Sequence, residues 1–548
     1  MRVFKIVTTF IKTNKFLCII VSLYSLTMIS VITWGIPGNS HPFAYNMDEW
    51  HQMMAVRNTF RYGSPNIAGS AHGSIFHFIL SGFFLVPFIV TGIINPFIVK
   101  TVIGAMQMQE KIFIVLRLNT LLFGILSIGF LYEILKKYFR ANGILGVVLF
   151  VGTPIWLSLA SFFKYDIALI FWMILSVYFI LKYAQKPTSN NYLIAAIPCA
   201  LALSTKISAI PLVPLYIVSF FLFTPKFKKR FKLMILGLLV MFGIFIVVGI
   251  PDIVLGKGSL FDYLYPNLIS GPKGDSNILL GGSSKWSYTV MELAPVIFGR
   301  IFYTLSIIAL GYWIIFLLVQ FKKRKLLNFR KEIFLISGLL FFAFSLIPLG
   351  LGATGNRLLV LHPFLVILTV IFLKKIYESL NKDFKILFVA LIVIFIIFQL
   401  KESSIVVYTK YYDNPQQVAS RWMTNNIRIG EAIGIENIPI YQFLPDLALK
   451  EFYLLENDKK AKTNFKYEVV NDITPVLPKI ILITNKNYHL YYLNNSPKKN
   501  LVHRLEKEGY KIILEIKPSE DLYKLFINDF NFHESGLNAI STVTIYSK

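Results

Sequence analysis

The feature that most restricts this chain is a succession of apolar runs, each close to the thickness of a bilayer in length. They lie near residues 16–34, 75–99, 112–134, 143–160, 166–184, 192–204, 208–223, 233–251, 295–319, 332–349, 358–373 and 384–400. About 20 residues of uncharged helix cross a hydrocarbon core of about 30 Å. A chain that is 55% hydrophobic and 15% charged cannot hide that much apolar surface in a water-soluble globule. The expected class is therefore a polytopic α-helical membrane protein. The net charge of +26 is not read as a nucleic-acid footprint, because the basic residues gather in short loops where they set sidedness. The cysteines, Cys18 and Cys199, lie in separate apolar runs and read as buried thiols, without disulfide or zinc spacing.

The loops alternate. Lys136, Lys137 and Arg140 fall in one, Lys182 and Lys186 in another, and Lys226, Lys228, Lys229, Arg230 and Lys232 in a third. Lys322, Lys323, Arg324, Lys325, Arg330 and Lys331 make a fourth, and Lys374, Lys375, Lys382 and Lys385 a fifth. The loops between these are poor in basic residues: Lys164, Lys206, a 252–294 segment with Lys257, Lys273 and Lys285, and Arg357. The N-terminal stretch carries Arg2, Lys5, Lys12 and Lys15 before its apolar run, which reads as an uncleaved first transmembrane helix with a cytoplasmic N-terminus. The basic loops then fall inside only if segment 75–99 does not cross. His77, Pro87 and Pro96 in that segment suit a broken interfacial or re-entrant helix. The expectation is about eleven crossings and a C-terminus outside. Residues 1–400 form the membrane domain, with external loops at 35–111 and 252–294. Residues 401–548 change to mixed polar composition and read as an external α/β domain. "NPQQVASRWMTNNI" suggests an amphipathic helix, "KIILIT", "YKIILEI" and "STVTIYS" suggest strands, and "NLVHRLEKEG" suggests a helix between the first two strands.

This topology collects unusual polar residues on the external face. Asp48 and Glu49 directly follow the first helix. The stretch "EWHQMMAVRNTFRYG" puts Trp50, Met53, Met54, Val56 and Phe60 at roughly helical spacing, with His51, Arg57 and Arg61 between them. That pattern predicts an amphipathic helix lying in the interface, which would hold the acids at a fixed height. Asp166 opens an apolar run, either as an N-terminal helix charge or as a second acid in the same cavity. Lys206 and Arg357 each sit between apolar runs, where a cation is costly and so marks a candidate site. Together they suit a lipid phosphate. His51, His72 and His77 have no metal-motif spacing, so a divalent metal is left open. Trp286 and Tyr288 in the long loop are candidate sugar contacts.

The residues in these motifs resemble the GT-C superfamily of membrane glycosyltransferases, near the protein O-mannosyltransferases and lipid A aminoarabinose transferases of the family 39-like group. "DEWHQMMAVRNTFRYGSPN" is similar to that family's Asp-Glu loop, "FFKYDIALIFWMILSVYFIL" to its second external acid and aromatic-rich helix, and "ALALSTKISAIPLVPL" to its threonine–lysine segment. "GNRLLVLHPFLVIL" is similar to its arginine–leucine–proline helix, and "NPQQVASRWMTNNIRIGEAIGIENIP" to the opening of its periplasmic domain. The resemblance implies a GT-C fold and an enzyme at the cell membrane. A polyprenyl-phosphate sugar is the implied donor, and a hydroxyl on protein, lipid or glycan the implied acceptor. Transfer is by inversion: Asp48 as base, Glu49 and Asp166 assisting, Lys206, Arg357 and Arg57 on the lipid phosphate, and His51, His72, Trp286 and Tyr288 near substrate. No organic cofactor and no nucleic acid is implied. A transporter or lipid flippase, and a non-catalytic membrane scaffold with an external binding domain, are the competing readings. The first lacks two-halves symmetry in the sequence.

Overall fold

The computed structural model describes residues 13–36, 44, 48–50, 52–53, 55–56, 75–95, 102–225, 230–254, 256, 260, 290–291, 294–346, 355–408, 410–411, 415–435, 466–484, 497–516 and 543–548. Most of the 252–294 segment and much of 35–111, the expected external loops, therefore lie outside the described residues.

The membrane part is helical. Its elements are α1 (Lys15–Ser30), α2 (Ile75–Val90), α3 (Val102–Glu133), α4 (Gly143–Val151), α5 (Pro154–Ala160), α6 (Tyr165–Gln185), α7 (Ser189–Thr205) and α8 (Leu212–Phe223). After them come α9 (Phe231–Ile244), α10 (Arg300–Lys322), α11 (Arg330–Ser345), α12 (His362–Ser379) and α13 (Lys382–Tyr408). Among the described residues, 6 helices are long and apolar enough to cross a membrane, or up to 7 if the bent pair α4–α5 is one span. The shorter apolar helices α1 and Ile207–Phe223 account for part of the difference from the expected eleven or so, while α2, also short, is not among the expected crossings. At 16 residues, α2 is about 24 Å long.

The run 143–160, read as one span, bends by 69° between α4 and α5. The cause is local: Pro154 stands at the start of α5, where its missing N–H and fixed φ suit a new first turn but not continuation of the old helix. The bend frees the Gly152 carbonyl inside an apolar environment, where an unmet backbone group is expensive. Two polar residues of α13 meet it, Gln399 through Nε2 (2.8 Å) and Ser403 through Oγ. Gln399 Nε2 also donates to the Phe298 carbonyl at 2.9 Å. This explains polar side chains in a helix whose apolar residues otherwise face outward along most of its length, as lipid contact requires. The same helix runs to Tyr408 rather than ending at Leu400, and Ser403, Ile405 and Val406 are buried.

Beyond it lie α14 (Pro415–Asn426), β1 (Ala432–Ile435), β2 (Lys466–Val469), β3 (Ile480–Thr484), α15 (Pro497–Lys507), β4 (Lys511–Ile516) and β5 (Val543–Ser547). The sheet order is β2-β1-β3-β5-β4. β1 is parallel to β2 and β3, and β5 is antiparallel to β3 and β4. Alternate residues of β3 face opposite layers. Ile480 and Leu482 pack with Ala419, Met423 and Ile427 of and after α14, while Ile481 and Ile483 pack with Leu501 and Leu505 of α15. A central strand covered on both faces reads as a continuous apolar run, which is why "KIILIT" is recognisable and the short β1 and β2 are not.

Candidate active site

The site is assembled where the segment after α1 meets the loop between α5 and α6. Residues 48–50, 52–53 and 55–56 are helical. Glu49 and Gln52 are three residues apart and so share one face. Both accept backbone N–H groups of that loop: Glu49 Oε1 from Phe163 (2.7 Å) and Gln52 Oε1 from Tyr165 (3.0 Å). Trp50, Met53 and Val56 are buried with Phe78, Phe113, Leu116 and Phe163. The described part of the apolar face expected to lie on lipid, Trp50, Met53 and Val56, is thus turned into the protein, where the two acceptor side chains pin the segment against the α5–α6 loop. Met54 and Phe60 lie outside the described residues.

Glu49 is held further by Arg117 of α3. Arg117 Nε and Nη2 reach Glu49 Oε1 and Oε2, both at 2.7 Å, in a bidentate pair. Arg117 Nη1 donates to the Ile32 and Trp34 carbonyls at 2.7 Å each. Both side chains are buried, 2% and 0% exposed. A guanidinium fork in a dry site fixes a carboxylate in one geometry. Glu49 is therefore a fastening between α1, α3 and the site loop, with its oxygens turned away from solvent.

Asp48 lies on the other side, half exposed, with Oδ2 at 2.7 Å from Lys164 Nζ. Lys164, 2% exposed, is also 3.7 Å from Asp166 Oδ2. Asp166 Oδ1 is 2.8 Å from Lys206 Nζ, and Lys206 keeps 21% of its side chain exposed. The four residues alternate in sign from one partly exposed end to the other. Burial alone would pull the Lys164 ammonium down, but Asp48 and then Asp166 more than offset this and hold it above the ordinary lysine range. Lys206 also sits over the Tyr165 ring at 4.6 Å. Beneath, His77 of α2 stacks on Phe163 at 5.4 Å and meets Tyr165 edge-on at 6.4 Å.

Asp48, Glu49, Asp166 and Lys206 are thus brought together. Arg357 lies in the single turn Gly355–Leu358, packed near α5 and the short helix Ala294–Phe298. His51, Arg57, His72, Trp286 and Tyr288 lie outside the described residues. Sequence reasoning missed Arg117 and Lys164. Arg117 is a charge inside the apolar run 112–134, and the rule that flagged Lys206 applies to it equally. Lys164 stands between Phe163 and Tyr165 and was read only as a loop cation. Among the described residues no group of three or more His, Cys, Asp or Glu side chains comes together to hold a metal ion.

Lys410 closes the site from behind. Its buried ammonium contacts Ser161 Oγ and lies over the Phe162 and Trp34 rings at 4.7 and 5.3 Å. Burial, then the Arg117 charge, lower it to about 7 against a smaller opposing pull from Glu49. An unfolded lysine titrates near 10.4, so between those values the unfolded chain holds more protons and stability rises with pH. We expect the melting temperature of the parent protein to gain on that of Lys410→Met between pH 7 and pH 9. A difference that stays flat over this range would show that Lys410 does not titrate there.

Residues 96–251 match the model of the family described as dolichyl-phosphate-mannose-protein mannosyltransferase. The match contains Arg117, Lys164, Asp166 and Lys206 and begins after Asp48. Among solved structures, the Archaeoglobus fulgidus oligosaccharyltransferase in complex with Zn and sulfate is 13% identical, covers 88% of this chain and 70% of its own, and has a TM-score of 0.50. The same enzyme tethered with an acceptor peptide containing the NVT sequon is 12% identical, with 89% and 72% covered and a TM-score of 0.50. ArnT from Cupriavidus metallidurans, bound to undecaprenyl phosphate, is 13% identical, with 96% and 97% covered and a TM-score of 0.48. No curated protein matches in sequence. The fold is shared with the Archaeoglobus fulgidus oligosaccharyltransferase, and the family-model match over residues 96–251 agrees with the sequence resemblance to mannosyltransferases.

Proposed function

We propose that this protein is a membrane glycosyltransferase of the GT-C type that moves a hexosyl or pentosyl group from a polyprenyl-phosphate donor to a hydroxyl acceptor on the external face. The observation that carries this reading is the array Asp48–Lys164–Asp166–Lys206, a solvent-reachable carboxylate and a solvent-reachable ammonium held at fixed positions. The description of the matched family, which names a lipid-phosphate mannose donor, supports it.

In the proposed reaction Asp48 accepts the proton of the acceptor hydroxyl. The oxygen attacks the anomeric carbon from the face opposite the phosphate. The bond from that carbon to the phosphate oxygen breaks, and the lipid phosphate leaves with both electrons. The leaving group gains negative charge, which a pre-placed cation stabilises. Lys206 is placed to do this, with Arg357 and Arg57 as further candidates. Asp166 is shielded between two lysines and serves as a positioning residue. Lys164 holds the Asp48 carboxylate in place through the 2.7 Å contact to Oδ2.

Lys206→Ala is expected to weaken binding of a fluorescent polyprenyl phosphate by roughly 10- to 100-fold, the scale of one lost charge-assisted hydrogen bond. Acceptor affinity should stay near that of the parent. Unchanged polyprenyl-phosphate binding in this variant removes Lys206 from the site. The experiment that tests the reaction itself is release of free polyprenyl phosphate from a labelled donor by the purified protein. A transporter or a scaffold would release none.

The proposed sidedness puts the N-terminus in the cytoplasm, α2 short of crossing, and the Asp48 array and sheet domain outside. A cysteine placed at Lys323 is then expected to resist a membrane-impermeant maleimide in intact cells and to react after permeabilisation. Reaction in intact cells would invert the topology.

A further inference from the structure

The helix α6 carries Asp166 at its start and Ala184 near its end, about 27 Å apart along the axis. At the Ala184 end, on the opposite face from the Asp48 array, lies a cavity of about 420 Å³. Its charged lining is Arg330, Lys331, Glu332, Lys374, Lys375 and Glu378, four cations against two carboxylates. Phe223 and Ile371 are among its apolar lining residues.

Two of the cations are engaged with the fold. Lys331 Nζ donates to the Tyr138 carbonyl and Lys374 Nζ to the Phe139 carbonyl, each at 3.0 Å. These carbonyls end the π-helical turn Ile134–Tyr138 that closes α3, where unmet acceptors and the negative helix end attract ammonium groups. Lys374 is also 3.5 Å from Glu378. Lys375 is held among the rings of Phe316, Trp313 and Phe329 at 4.9, 5.7 and 5.7 Å. Rings place its charge without neutralising it. Arg330 is exposed and has no carboxylate partner among the described residues. It opens α11, so the first turn of that helix, with its positive end, also lines the cavity. Glu332, in the same first turn, feels the charges of Lys375, Lys331 and Lys374. Four cations against two carboxylates therefore leave a surplus of two positive charges, and Arg330 and Lys375 are the cations not committed to backbone carbonyls, at the level where several membrane helices end. The volume is in the range of ligand sites and exceeds what a lone inorganic ion fills.

We propose that this cavity binds a phosphate ester at the membrane surface opposite the Asp48 array, with Arg330 and Lys375 as its cationic contacts and an anionic phospholipid headgroup as its source. A guanidinium grips phosphate oxygens through two parallel N–H bonds, and apolar lining residues such as Phe223 and Ile371 can meet the first carbons of the lipid.

The test is native mass spectrometry of the full-length protein in detergent, titrated with phosphatidylglycerol or with phosphatidylcholine. One phosphatidylglycerol is expected to be retained roughly ten-fold more tightly than phosphatidylcholine, whose headgroup is neutral overall. Arg330→Gln should remove most of that preference while the melting temperature holds, since the side chain is exposed. Glu378→Gln should shift retention the other way, because it removes a competing carboxylate. Competition with inorganic phosphate separates the sources. Retention that survives millimolar phosphate supports the lipid, and displacement supports a phosphate site filled from solution. Equal retention of the two lipids, or an Arg330→Gln variant that binds phosphatidylglycerol like the parent, overturns the proposal.

Discussion

Asp48→Asn is expected to lower single-turnover transfer by roughly two to four orders of magnitude, the scale of a lost general base, while leaving the protein folded. The two side chains are nearly the same shape. An asparagine oxygen can still accept from Lys164 at the position now held by Oδ2, and Lys164 keeps Asp166 as a second partner. The substitution therefore removes the capacity to take a proton without emptying the site. The ion pair it weakens has one half-exposed partner, and pairs of that kind contribute little to stability. The measurement is transfer from a labelled polyprenyl-phosphate donor at saturating acceptor, with melting temperature and polyprenyl-phosphate binding recorded on the same preparations. Loss of transfer with binding intact identifies Asp48 with the chemical step. Transfer near the parent rate would sink the base assignment and leave Asp48 as a partner that orients Lys164.

The fold class was legible because membrane helices are written in runs of residues without charge, and the runs at 112–134, 166–184 and 384–400 are helices in the structure. What sequence could not supply is the direction of each helix after a break. Residues 143–160 are uniformly apolar, yet Pro154 turns them through 69°, and the compensating donors, Gln399 and Ser403, lie more than two hundred residues away. The site was half legible for a related reason. Asp48, Asp166 and Lys206 stand out because each interrupts an apolar context. Their order in space depends on Lys164, which looks ordinary in the sequence and becomes the centre of the array only when the α5–α6 loop is laid against the Asp48 segment. The separation of Asp48 from Glu49 was not legible at all. Adjacent residues on a helix point about 100° apart, so one carboxylate faces the site and its neighbour faces Arg117.

That separation makes the second large expectation one of stability. Arg117→Met should destabilise the protein by about 3–5 kcal/mol, the usual cost of removing one partner from a buried ion pair. Methionine is apolar and of comparable length, so the change empties little space and isolates the electrostatic loss. It leaves the Glu49 carboxylate buried without its guanidinium partner while the Phe163 N–H still donates to it, and it removes the Nη1 donor that the Ile32 and Trp34 carbonyls now meet. Pairing it with Glu49→Met should recover part of the loss, because the uncompensated charge is gone. Recovery should stop short of the parent, since the hydrogen bonds to the Ile32 and Trp34 carbonyls and from the Phe163 N–H are still lost and a typical one contributes about 0.5–1.5 kcal/mol. Thermal unfolding of the two single variants and the double variant in one detergent gives the cycle. A coupling energy near zero would mean that Glu49 and Arg117 do not act as a unit and that the first helix is fastened to the site by packing alone. A large coupling, with the few folded Arg117→Met molecules still transferring sugar at a substantial rate per molecule, would place Glu49 in the scaffold and leave Asp48 as the carboxylate that meets the acceptor.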